Sequence, residues 1–187
     1  MPKQVLFIQG ASEGAYEADA KLVESLRHTL GSNYEVIYPA MPNEADASYD
    51  EWKPCIEREI ASMRGSVILA GHSVGASILL KCLGEIKIKK PVAGISLMST
   101  PFWGGDGWRY EGYQELELPK DLAAKLPPST PIFLYHSRDD GSVPYEHLAL
   151  YEKLLPHATS RRLDKGGHQL NNDLAPVAQD IKSLKSI

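Results

Sequence analysis

The chain has 187 residues, 43% of them hydrophobic, which is enough for one well-buried core and predicts a single domain spanning residues 1–187. A net charge of −4, with basic residues scattered along the chain, excludes an electrostatic nucleic-acid binder; the compact group Lys87, Lys89 and Lys90 reads as a solvated loop after a helix. Two cysteines, Cys55 and Cys82, are too few and too far apart for a disulfide framework or a zinc site. No apolar run approaches membrane-spanning length, and the first residues enter an apolar strand without a signal-peptide pattern, so a soluble, cytoplasmic protein is expected.

Short apolar runs alternate with helical periods along the chain, the pattern of a parallel sheet covered on both faces. Strands are predicted at residues 5–9, 34–38, 66–70, 92–98, 132–136 and 160–163. Helices are predicted at 16–30, ended by Gly31, and at 48–63, ended by Gly65. Ser48 and Glu51 form a capping box for the second, although Pro54 implies a later start or a kink. Further helices cover 74–83, 145–155 and 174–184. Residues 100–130 break the rhythm. They hold no strong strand, and Phe102, Trp103, Trp108, Tyr110 and Tyr113 stand among Gly104, Gly105, Gly107 and Gly112. So long a connection in a compact domain is usually functional, which points to a cap or pocket wall rather than a passive cover over the sheet edge.

Gly71-His72-Ser73-Val74-Gly75 follows the third strand and opens a helix. The pattern G-x-S-x-G in that context is a nucleophile elbow: the serine sits on a sharp turn whose neighbours must be glycine. A serine hydroxyl needs a base to take its proton and an acid to orient that base. Asp139 and Asp140 follow the fifth strand, and Gly166-Gly167-His168 follows the sixth in a tight, mobile loop, so acid and histidine occur in the order expected after a strand–helix serine. His28, His136, His147 and His157 belong to helices or strand ends and read as surface or capping residues, and His72 points away from the hydroxyl. That leaves His168 as the base. Spacing alone does not separate Asp139 from Asp140. The turn Gln9-Gly10-Ala11-Ser12 after the first strand lacks the G-x-G-x-x-G spacing of a dinucleotide loop.

These motifs resemble those of the α/β-hydrolases. The segment from His136 to Pro144 matches the family pattern H-G-x-x-D-x-x-V-P with Ser137 in place of glycine, and that register puts the acid at Asp140. The resemblance implies a six-stranded parallel sheet of order 2-1-3-4-5-6 with helices on both faces, without the family's first antiparallel hairpin. It implies backbone N–H donors for an oxyanion at Val74 and Ala11, although Gln9 stands where the family has histidine. It also implies substrate contacts from Phe102, Trp103 and Trp108 in a cap-like insertion over 100–130. The chemistry implied is hydrolysis of a small ester-like molecule through an acyl-enzyme, without metal or cofactor. Serine at the elbow argues against the epoxide hydrolases and dehalogenases, which use aspartate, and against the dienelactone enzymes, which use cysteine. Within the superfamily the chain is most similar to small serine hydrolases of the retinoblastoma-binding protein 9 type, which share an acidic-polar segment like residues 41–44. An amidase or peptidase, and a binding module on a hydrolase fold, are the alternative expectations; nothing in the sequence specifies an oligomeric state.

Overall fold

In the computed structural model, which describes residues 2–104, 108, 113–127 and 129–185, six strands form one sheet: β1 Lys3–Ile8, β2 Tyr34–Ile37, β3 Val67–His72, β4 Val92–Met98, β5 Ile132–Ser137 and β6 Thr159–Leu163. All pairings are parallel and the order is β2-β1-β3-β4-β5-β6, as expected from the sequence. The helices are α1 Ala15–Leu30, α2 Tyr49–Ser62, α3 Ser73–Glu85, α4 Leu122–Lys125, α5 His147–Leu154 and α6 Ala175–Ser183. Among the described residues no helix is long and apolar enough to cross a membrane.

The period-two alternation of each strand sorts its side chains into two cores. Leu6 and Ile8 of β1 and Val67 and Leu69 of β3 pack with α2, α3 and α5 on one face. Val5, Phe7, Ile68 and Ala70 pack with α1 and α6 on the other. The central strands β3 and β4 are buried along their whole length, which is why they read as unbroken apolar runs. β6 is an edge strand, with Ser160, Arg161 and Arg162 at or near the surface.

The capping prediction for α2 is half realised. Ser48 Oγ accepts the Glu51 N–H at 3.3 Å, the serine half of the box, and the next N–H, that of Tyr49, goes outside the box to Glu115 Oε1 at 2.8 Å, from the segment after β4. The helix starts at Tyr49 and runs through Pro54, so the proline does not delay it. At its other end Lys90 donates to the carbonyls of Ile60, Ala61 and Met63. Lys90 is therefore a helix C-cap rather than a solvated loop residue.

Between β4 and β5 the sequence predicts no regular element. The structure has a 3-10 turn at Gln114–Leu116 and the one-turn helix α4. Tyr110, Gly105, Gly107 and Gly112 lie outside the described residues. Both cysteines are free, and burial pushes the Cys82 thiol up to about 12, which makes it inert at neutral pH.

Candidate active site

Every strand ends on the same edge of the sheet, and that edge gathers the residues singled out above. Ser73 is the first residue of α3, directly after β3, with φ +52°. A non-glycine residue in the left-handed region is strained, and here the strain comes from turning the chain from strand to helix within one residue. The flanking glycines are required by contact. A Cβ on Gly71 would lie 2.8 Å from Ala76 Cα, and one on Gly75 would lie 1.8 Å from the Gln9 carbonyl oxygen.

His168 lies on the loop after β6, with its ring between Ser73 and Asp140. Its Nε2 is 3.0 Å from Ser73 Oγ, and its Nδ1 is 2.9 Å from Asp140 Oδ2 and 3.1 Å from Oδ1. In that arrangement Nδ1–H donates to the carboxylate and Nε2 accepts the serine proton. The Asp140 side chain is fully buried and Ser73 is 8% exposed. Burial alone would raise the Asp140 pKa. Contacts from His136 Nε2 (3.3 Å), His168 and the Val143 N–H outweigh it and hold the carboxyl far below its usual range.

Asp139 faces elsewhere. Its Oδ1 accepts Ser137 Oγ–H at 2.5 Å and the N–H groups of Gly166 and Gly167 at 2.9 and 2.8 Å. Two adjacent carboxylates thus hold two parts of one loop: Asp140 the imidazole, Asp139 the backbone before it. The glycine loop read from sequence as mobile is pinned, and Ser137, the departure from the family pattern, helps orient the pin.

Two histidines read from sequence as surface or capping residues lie inside: His136 and His147 are 2% and 4% exposed. His136 is drawn inside because it ends a central strand; its Nε2–H donates to the Val143 carbonyl at 3.1 Å beside Asp140. His147 Nδ1 accepts the Phe102 N–H at 2.9 Å, and its ring lies 4.4 Å from that of Trp108. His28 and His157 are exposed, as expected.

The turn after β1 lies against Ser73: a Cβ on Gly10 would stand 3.3 Å from Ser73 Cβ. Ala11 follows, and among the described residues no backbone carbonyl takes its N–H. Val74 is the second residue of α3, where the helix offers its N–H no carbonyl. The turn is held by residues the sequence reading missed. Glu44 accepts Gln9 Nε2 at 2.6 Å and the N–H groups of Tyr16 and Gly14 at 2.7 and 3.0 Å, while Gln9 Oε1 accepts the Met41 N–H at 3.0 Å. Asp19 Oδ2 accepts the Gly10 N–H at 2.7 Å and meets His72 Nδ1 at 2.9 Å. Asp19 was legible in principle: it is a carboxylate on the buried stripe of α1, among Ala15, Leu22, Val23 and Leu26.

Trp103, 6% exposed, is stacked on Tyr113 with ring centroids 4.7 Å apart and meets Trp108 edge-on at 6.1 Å. Phe102 packs edge-on against Tyr151 at 5.0 Å. These rings share one apolar cluster with Val74 and Ala11. Among the described residues no group of three or more His, Cys, Asp or Glu side chains could hold a metal.

The fold recurs in solved structures. The ydeN gene product of B. subtilis superposes with a TM-score of 0.71 at 19% identity, covering 97% of each chain. A structure described under the metagenome-derived lipolytic enzymes LipS and LipT gives 0.73 at 14% identity, over 97% of this chain and 93% of that one. Est1E from Butyrivibrio proteoclasticus, solved with ferulic acid, gives 0.68 at 16% identity, over 96% and 86%. A comparison with curated proteins finds no sequence match. The family model described as serine hydrolase matches residues 24–173, a span that includes Ser73, Asp140 and His168, and the chain belongs to that family.

Proposed function

We propose that the chain hydrolyses a small ester-like substrate through an acyl-enzyme on Ser73. The observation that carries this reading is the position of the His168 ring, 3.0 Å from Ser73 Oγ and 2.9 Å from Asp140. Ser73 Oγ attacks the substrate carbonyl as His168 Nε2 takes its proton. His168 then returns that proton to the departing alcohol and activates a water for deacylation. Asp140 keeps Nδ1 protonated and stabilises the imidazolium that forms. The N–H groups of Val74 and Ala11 hold the oxyanion, a contribution of roughly 3–4 kcal/mol per donor in comparable sites. The steps use only protein groups, so no metal or cofactor is invoked.

Phe102, Trp103 and Trp108 form the acyl wall in this reading, with Trp103 backing Trp108 and residues 100–130 acting as a cap-like insertion in a single domain. The shared cluster with Val74 and Ala11 supports that placement. The narrower assignment, a small serine hydrolase of the retinoblastoma-binding protein 9 type, is supported by Glu44 in the segment after β2. Two free thiols fit a reducing, cytoplasmic setting. The esterase domain and lipolytic enzymes among the structural neighbours agree with ester chemistry.

The test is labelling with a fluorophosphonate, followed by turnover of short p-nitrophenyl esters and the matching anilides. Labelling at Ser73 with ester turnover is expected. Faster anilide cleavage would make the protein an amidase or peptidase, and an unreactive Ser73 would leave a binding module on a hydrolase fold.

A further inference from the structure

His72 precedes Ser73 but turns to the opposite face of the sheet, where Ile68 and Ala70 of the same strand pack toward α1. It is 1% exposed, as is Asp19. Both of its ring nitrogens are engaged: Nδ1 with Asp19 Oδ2 and Nε2 with the main-chain carbonyl of His168, each at 2.9 Å. A carbonyl only accepts. Asp19 is itself surrounded by donors, the Gly10 N–H at 2.7 Å and Gln169 Nε2 at 3.1 Å, which keeps it a carboxylate. Both nitrogens of His72 must then donate, which makes the ring an imidazolium.

The charged groups facing that ring agree. Burial opposes charge on both partners, but the attraction and hydrogen bond between them, the His168 carbonyl and the nearby Asp140 carboxylate hold His72 above its ordinary value, and Asp19 stays below its own. The carbonyl of His168 also accepts Ser99 Oγ–H at 2.9 Å. His168 is thus gripped at its backbone by His72 and Ser99 and at its ring by Asp140 and Ser73.

We propose that His72 is a positioning residue for the reaction. Locked by Asp19, it grips the His168 carbonyl and sets where that ring stands between Ser73 and Asp140. The same carboxylate ties down Gly10 in the turn before Ala11, so one buried pair couples the base to the proposed oxyanion loop. The inference rests on the hydrolase reading above.

Two amide side chains separate the two bonds. Gln places a donor where His carries Nε2, and Asn places one where His carries Nδ1. His72→Gln keeps the grip on His168 and gives up Asp19; His72→Asn does the reverse. In fluorophosphonate labelling Ser73 Oγ bonds to phosphorus, fluoride leaves, and the hydroxyl proton passes to His168, so the rate reports how well the base is placed. His72→Asn is expected to lose on the order of 10–100-fold in labelling rate and in kcat, with KM nearly unchanged. The labelling rate of the folded His72→Gln protein is expected to stay within about threefold of the parent's. Equal labelling of His72→Asn and the parent would overturn the inference alone, and so would a greater loss in His72→Gln, which marks a purely structural role. A parent protein that does not label overturns the hydrolase reading and this inference with it. A measurement on the unaltered protein stands if a variant fails to fold: 15N NMR at neutral pH should show both His72 nitrogens protonated, and a ring with one bare nitrogen overturns the proposal.

Discussion

Asp139 and Asp140 are neighbours in the chain, yet their carboxylates serve different parts of the loop after β6: Asp140 meets the His168 ring at 2.9 Å, and Asp139 accepts the N–H groups of Gly166 and Gly167. Asp140→Asn should therefore cost about 10⁴-fold in kcat, because an amide at that position favours the wrong tautomer of His168. Asp139→Asn should cost far less and should show instead as faster hydrogen exchange at the Gly166 and Gly167 amides. A reversed order of severity in steady-state assays would move the acid by one residue.

Ser73→Ala and His168→Ala should each abolish turnover, with losses on the order of 10⁶ in kcat, and the double variant should be scarcely worse than either single one. Such non-additivity marks residues that act as one unit. Single-turnover rates that multiply instead, or a Ser73→Ala protein keeping a tenth of its activity, would contradict the assigned roles.

The pair of His72 and Asp19 gives stability a defined dependence on pH. His72 is held above its ordinary value of 6.5, so its contribution is complete below that pH and declines as pH rises through the higher folded value. Asp19 is held below its ordinary 3.8, so its contribution is complete above that pH and fades as pH falls through the lower folded value. The melting-temperature gap between the parent and His72→Gln should thus be widest from about pH 4 to 6.5 and shrink on the alkaline side. Breaking a buried pair costs about 3–5 kcal/mol, which for this chain length is a drop on the order of 10 °C. Thermal melts at a series of pH values check both the size and the sign.

Gly75→Ala should destroy the site, since its Cβ would stand 1.8 Å from the Gln9 carbonyl and would drive the start of α3 away from β1. Gly141→Ala, which meets nothing within 4 Å, should be neutral. Comparing the melting temperature and labelling rate of the two variants tests whether the close approach of β1 and α3 is needed.

Trp108→Ala should shift the preference among acetyl, butyryl and longer esters or raise KM, because its half-buried ring lies at the outer side of the aromatic group. Trp103→Ala should chiefly cost stability, about 3–5 kcal/mol, since that ring is inside the core. An unchanged ratio of kcat/KM between short and long esters in both variants would remove the segment from substrate contact.

The strands and the residues around Ser73 were legible because their signals are local: an apolar run, two glycines, and a serine at a strand-to-helix junction; the order of the strands came through the family resemblance. Asp140 was legible only through the register with Val143 and Pro144. The pairings that support them were not. His72 and Asp19 are 53 residues apart and Gln9 and Glu44 are 35 apart, so no local pattern announces either pair. His136 and His147 misled for a related reason. An imidazole at a strand or helix end is ordinarily exposed, and here Phe102 and Trp108 cover His147 while Asp140 and Val143 enclose His136.

The position of β6 at the rim of the sheet has a further consequence. Ser73 follows the most enclosed strand, whereas His168 follows a five-residue strand that pairs on one side only and is tied to α6 by the two bonds from Arg161 to Asp180. Ser73 and His168 therefore belong to regions of unequal local stability, and fraying of the rim separates them while the centre of the sheet stays intact. Enzymatic activity should then vanish at a lower denaturant concentration than helical circular dichroism, and return at once on dilution, as a reversible inactivation that precedes melting.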